Sequence, residues 1–347
     1  MAKAKAAHSL TELFLALVRS GLWSVPLAPE YLPWLRSLDA SSWDTLLDMA
    51  RRQTVTGMLA AAVELLPEDF SVPETADYAL MAAADRLEAR HHRMERAMGK
   101  LTALFRDAGL EPVFLKGLES ARLYPRPELR ELGDIDLWFP PESFESALGL
   151  IRAHLGEMVS PASDGSLHFP FKGFDVDVHR HYFDLSCDAA ALPAVPSPEA
   201  ELLMLNAHIL KHACSAGVGL RQCCDMALAY SRLPYDADRY EASCREGGIL
   251  RWSRILSTFL NRYLEANAPL FHLPVIDPAP LERIVRRGGN FGHHGAGRRA
   301  ALSRAPFLRK ADTLWRMIGA LPFSLRYAPE ETLRYARRLL GGNLKAR

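Results

Sequence analysis

Four carboxylates stand in two short runs rich in strand formers. Gly133-Asp134-Ile135-Asp136-Leu137-Trp138-Phe139 carries two acids two residues apart, and Phe174-Asp175-Val176-Asp177-Val178-His179 repeats the arrangement. Alternate side chains of a strand share a face, so Asp134 and Asp136 point one way. Like charges held that close repel, and a divalent cation is the simplest relief. If the two runs are neighbouring strands, three or four carboxylates converge. That is the oxygen-rich setting Mg2+ prefers when it also holds substrate phosphates. Burying two acids beside Ile135, Leu137 and Trp138 without a cation would be costly. Asp134, Asp136 and Asp177 are therefore the expected metal ligands, with Asp175 as competitor for the third place. The opposing reading is a solvated turn or strand edge.

Other polar residues attach to this set. His179 continues the face of Asp177, where it would orient an acid, contact phosphate or hydrogen-bond locally. Arg130, just ahead of the first acid run, has two readings: a phosphate clamp or the partner of an acid. His208 and His212 lie four apart and share a helix face. That spacing can bind zinc, but the glutamate of a His-Glu-x-x-His motif is missing, which favours packing or hydrogen bonding against the acid-bearing domain. Asp225 would anchor one of these histidines or Arg221. His179, His208, His212 and Asp225 are thus expected to support the site from behind. His91 and His92 fall in a long helical pattern and read as surface positions.

The elements that must position these groups follow from the patterning. Residues 8–66 read as helices, broken by Pro26, Pro29 and Pro33, with an N-cap in Ser41-Ser42-Trp43-Asp44. Residues 74–109 read as one long helix ending at Gly109. Pro112-Val113-Phe114-Leu115 is a short strand, 118–124 a short helix, 134–139 the first acid strand, 141–154 a helix and 173–179 the second acid strand. The stretch 157–170 is ambiguous. Strand, helix, strand, helix, strand in so short a span predicts a small α/β core. From Pro198 onward the helical period returns, near 202–212, 220–233 and 250–266. Gly288 to Gly297 reads as a loop. The expected class is α+β: a small mixed sheet flanked by helical regions. The expected organisation is 1–109 helical, 110–196 the core, 197–275 a helical domain closing the cleft and 276–347 a basic helical end.

Composition narrows the class without naming a partner. With 347 residues and a formal net charge of +1, the chain can bury a large core, and bulk charge points to no ligand. From Arg283 onward there are fifteen Lys and Arg against Asp312, Glu330 and Glu331. This excess reads either as a surface for phosphates or an anionic membrane, or as solvated helix faces. The five cysteines, an odd number without regular spacing, read as reduced and mostly buried thiols. Leu13 to Val18 is too short to span a membrane and lacks a small-residue cleavage site, so a cytoplasmic protein is expected.

One known family carries the same ordered set. Phe114-Leu115-Lys116-Gly117, Leu123-Tyr124-Pro125-Arg126-Pro127, Arg130, Gly133-Asp134-Ile135-Asp136-Leu137 and Val176-Asp177-Val178-His179 resemble the bacterial uncharacterised nucleotidyltransferases of the polymerase-β superfamily. His208-Ile209-Leu210-Lys211-His212 and Leu220-Arg221 to Asp225 resemble its helical half. The resemblance covers about residues 80–265. It implies a polymerase-β-like fold and an enzyme that moves a nucleoside monophosphate from an NTP, ATP first, to an acceptor hydroxyl with release of pyrophosphate. It implies Mg2+ as cofactor, two ions with Mn2+ as a substitute, and Asp134, Asp136 and Asp177 as the catalytic acids. Nucleic acid is not required, and the acceptor and oligomeric state are not given. The superfamily usually has Gly-Ser in the turn that holds the triphosphate; here Lys116-Gly117 stands there. Lys116 would meet phosphate as a point charge, or else form a surface salt bridge. Gly117 would lend its backbone, and Ser120 the missing hydroxyl. The altered turn keeps a second class open: an inactive binding or scaffold protein on the same fold, at a membrane surface through the basic C-terminal helices.

Overall fold

Alternation of apolar and charged residues decides how the acid strands lie. The computed structural model describes residues 9–155, 159–161, 166–214, 217–269, 271, 274–288 and 318–345. The chain falls into two compact units, Met1–Leu47 with Val55–Tyr182, and Asp48–Thr54 with Phe183–Arg347.

The first unit holds a mixed sheet of five strands: β1 (Val113–Leu115), β2 (Ile135–Trp138), β3 (Ser160–Pro161), β4 (Leu167–Phe171) and β5 (Phe174–His179), in the spatial order β1-β2-β5-β4-β3. Among the described residues, only the β2–β5 pair is parallel. Ile135 and Leu137 of β2, and Phe174, Val176 and Val178 of β5, are buried, while the acids between them face the other way. The stretch 157–170 that patterning leaves ambiguous supplies β3 and β4. A two-residue turn, Lys172-Gly173, joins β4 to β5. Both residues have positive φ, 51° and 85°, the backbone that lets a tight hairpin keep the twist of its strands.

Helices cover the apolar face of the sheet. Helix α5 (Glu74–Asp107, 34 residues) is about 50 Å long at the usual rise. Its stripe of Met94, Ala97, Leu101 and Phe105 joins Ile135, Leu137, Phe139, Val176 and Val178 in one core, with Phe144, Leu148 and Ile151 of α7 (Pro141–Leu155). Phe105 meets Phe139 edge-on at 4.8 Å between ring centroids. His91 is a correction to its surface reading: it is only 6% exposed, on the buried stripe of α5. The N-terminal helices are α1 (Leu10–Trp23), α2 (Leu32–Arg36), α3 (Ala40–Gln53) and α4 (Thr56–Glu64). The cap of α3 lies two residues ahead of the Ser41-Ser42 that the sequence pattern offers, with Asp39 Oδ1 accepting from Ser42 N at 2.8 Å.

Two glycines let backbone meet backbone in this unit. A Cβ on Gly21 would stand 1.9 Å from the Met58 carbonyl oxygen, and one on Gly57 the same distance from that of Leu129. Thr56 N, in the first turn of α4, also donates to Glu131 Oε1 at 2.9 Å. The helices thereby grip the segment that leads into β2.

The second unit is helical: α8 (Pro198–Ala213), α9 (Leu220–Arg232), α10 (Ala237–Glu246), α11 (Leu250–Leu264), α12 (Ala279–Gly288), a helical stretch 318–327 and α13 (Pro329–Lys345). Ser197 caps α8 and Asp236 caps α10. A buried polar knot ties three helices: Asn206 Nδ2 donates to Tyr240 OH at 2.6 Å and Ser253 Oγ at 2.8 Å. Gln53 belongs here because its side chain donates to Val285 O at 3.0 Å and accepts from Leu220 N at 2.9 Å. All five cysteines are free, and burial pushes Cys214 and Cys244 up to about 12, so these thiols stay protonated. The Gly-rich loop reading beyond Gly288 and residues 289–317 of the basic end lie outside the described residues. No helix among the described residues is long and apolar enough to cross a membrane.

Two outcomes follow from this packing. Gly57→Ala forces a methyl into a carbonyl and is expected to destabilise the protein by about 3 kcal/mol in denaturant unfolding. Gly99→Ala, on an open face of α5, has nothing within 4 Å and should instead stabilise by about 0.5–1 kcal/mol. Equal effects of the two would contradict the close approach. In the second unit, burial alone would raise the Asp184 carboxyl, but the His208 hydrogen bond and the charges of Lys211 and His208 hold it well below 3.8. A depressed acid stabilises the fold above its unfolded value and loses that contribution as pH falls through the folded one. The difference in melting temperature between wild type and Asp184→Asn should therefore be widest near neutral pH and shrink as pH drops below about 4. A difference that grows in acid would refute the anchor.

Candidate nucleotidyl-transfer site

The parallel pairing of β2 and β5 puts Asp136 opposite Asp177. Both sit on the sheet face away from the core, with 14% and 25% of their side chains exposed. At neighbouring-strand spacing, about 5 Å, two such charges repel by about 3 kcal/mol at an effective dielectric of about 20. Basic groups answer this on each side. Lys116 Nζ lies 3.0 Å from Asp136 Oδ1, and His179 Nε2 lies 2.6 Å from the same oxygen. His168 Nδ1 makes a short hydrogen bond to Asp177 Oδ1.

Local structure explains how Lys116 arrives there. Leu115, the last residue of β1, pairs with Asp136. The chain then turns with Lys116 at φ 51° and Gly117 at φ 53°, ψ −119°. The second conformation belongs almost wholly to glycine, and the first costs a lysine on the order of 1 kcal/mol. A half-buried ion pair with Asp136 helps offset it. Helix α6 (Leu118–Ala121) closes the turn in four residues and buries Ser120 to 1% exposure.

Asp134 lies just outside β2 and is exposed, one residue before the ladder begins. Asp175 is likewise exposed, on β5. Arg90 of α5 stands at this end of the strands. Its Nε donates to Leu132 O at 2.9 Å and its Nη2 to Gly133 O at 2.8 Å. Burial, then the charge of Arg93, makes this guanidinium easier to deprotonate than usual, while Asp134 and Asp175 act in the opposite sense. Arg130 is buried and donates to Glu131 O at 3.3 Å. His208, His212 and Asp225 belong to the second unit. There His208 Nδ1 pairs with Asp184 Oδ2 at 3.1 Å, and the two histidine Nε2 atoms meet at 3.1 Å. Asp225 is buried on α9.

Sequence reasoning passed over two residues of this site. His168 carried a signal: Leu167-His168-Phe169-Pro170-Phe171 alternates, and a hairpin turning at Lys172-Gly173 sets 168 opposite 177. Arg90 carried none, being one of four arginines between 86 and 96 of a polar helix.

The carboxylates suit a hard cation that arrives with phosphates. Among the described residues, no group of three or more His, Cys, Asp or Glu is placed to hold a metal ion by itself. Mg2+ does not need such a cage, since one or two carboxylates, water and substrate phosphates ordinarily complete its shell. Asp136 and Asp177 provide that number. A cavity of about 560 Å3 opens elsewhere in the first unit, between α5 and α6, lined by His91, Glu95, Leu118 and Glu128 and by none of the acids above. The paired acids are the better indication of chemistry, because a hollow alone carries no reactive group.

No curated protein matches the chain. The sequence model of the uncharacterised nucleotidyltransferases matches residues 39–265, from the start of α3 to just beyond α11, and by that match the chain belongs to this nucleotidyltransferase family.

Proposed function

We propose that the protein transfers a nucleoside monophosphate from an NTP, ATP first, to an acceptor hydroxyl in a Mg2+-dependent reaction. The observation that carries this is the side-by-side placement of Asp136 and Asp177 on adjacent parallel strands, with Lys116 against Asp136, in a chain of this family. Asp136 and Asp177 would hold the metal, and Asp134 would join them from the strand entry. Bound Mg2+ would supply charge neutralisation for the triphosphate. Lys116 offers its ammonium to a phosphate oxygen, and the Gly117 turn lets the backbone approach. The acceptor oxygen attacks the α-phosphorus as the bond to the bridging oxygen breaks and pyrophosphate leaves. Its proton passes to the Asp177 carboxylate, which His168 orients from the neighbouring strand.

The test is turnover of α-labelled NTPs by the full chain with cell extract as the source of acceptor. Asp136→Asn and Asp177→Asn should each lower the rate at least about 1,000-fold while circular dichroism stays unchanged. Lys116→Met should chiefly raise KM for the NTP. Unchanged turnover in Asp136→Asn, or turnover indifferent to chelation of divalent metal, would end the proposal.

A further inference from the structure

We infer that Arg90 is a positioning residue for the first acid run, fixing where Asp134 stands; this rests on the metal-binding role proposed above for Asp134. The ladder of β2 begins at Ile135 on β5 and reaches only Asp136 on β1. The Leu132 and Gly133 carbonyls therefore lie ahead of the strand pairing, and they are the two that Arg90 takes. A guanidinium presents a rigid fork of donors that matches two successive carbonyls; an ammonium does not. The same group stacks over the Phe174 ring at 4.8 Å, which ties the entry of β2 to the first residue of β5.

Placement on α5 gives this contact its precision. Arg90 precedes Met94 by one helical turn, so the stripe that packs Met94, Ala97 and Leu101 into the core also delivers Arg90 to the strand entry. Its charge acts on Asp134 and Asp175 together, the outer pair of acids. Two functions meet in one side chain: two hydrogen bonds set the backbone before Asp134, and one charge offsets the outer carboxylates. Gly133, with no side chain to restrain it, depends on that grip.

Substitution separates grip from charge. Arg90→Lys keeps the charge and most of the stem, and Arg90→Met keeps only the stem. Binding of Mn2+ in the presence of ATP, read by electron paramagnetic resonance on the full chain, should weaken about 10-fold or more in both variants. In turnover at saturating Mg2+, kcat should fall with KM for ATP little changed. Hydrogen exchange of the peptide spanning 131–139 should speed up in both, with or without metal. Binding and exchange restored to wild type by lysine would overturn the positioning role, since charge alone would then suffice. If wild type binds no Mn2+, or Asp136→Asn binds it equally well, the proposed function fails instead. The exchange measurement then still decides whether Arg90 holds the segment, and unchanged protection in Arg90→Lys would reject it. Should Arg90→Met not fold, the lysine variant carries the test.

Discussion

Two negative charges held side by side on neighbouring strands are the constraint around which the first unit is arranged. A sheet that buries one face and exposes the other would ordinarily fill positions 136 and 177 with neutral polar groups. Here the parallel register makes them direct neighbours, and Lys116, His179 and His168 are drawn in from a turn and two strands to balance them. The strained backbone at Lys116 makes sense in that light. A lysine in a left-handed conformation is a local loss, tolerated where its side chain meets a carboxylate.

The helices contribute more than cover. Helix α5 supplies Met94, Ala97, Leu101 and Phe105 to the core beneath the sheet and also reaches its end through Arg90. Helix α4 takes hold of the same approach to β2 from another direction, through Glu131 on Thr56 N and through the bare backbone of Gly57 against Leu129. The residues that precede Asp134 are thus fastened at several points before any strand pairing begins. A short loop of Gly and charged residues gains a defined path in this way.

Much of this was legible in the sequence. The period-two alternation around Asp136 and Asp177, and the strong helix formers from 74 to 107, were unambiguous, so the α+β class, the acid strands and the long helix follow from them. Lys116-Gly117 marked a turn. What stayed hidden was of two kinds. Pro170 and the polar His168 blurred β4, because proline lowers the expectation of a strand and the pairing partner was not yet known. Arg90 and His91 were hidden for a different reason. A helix that is polar over most of its surface does not announce which turn faces the core, and that depends on the sheet it packs against. The role of Asp184 as partner to His208 had the same cause, since the two come together only in the fold.

The turn at Lys172-Gly173 has a consequence for how sequences of this kind vary. Because it spans two residues and both adopt positive φ, it works as a ruler that counts His168 onto Asp177. Insertion or deletion of one residue there would bring an apolar side chain of β4 opposite the acid and turn His168 toward the core. Among natural relatives, changes of length should therefore accumulate elsewhere on the surface and leave this hairpin alone, even where its residue types drift.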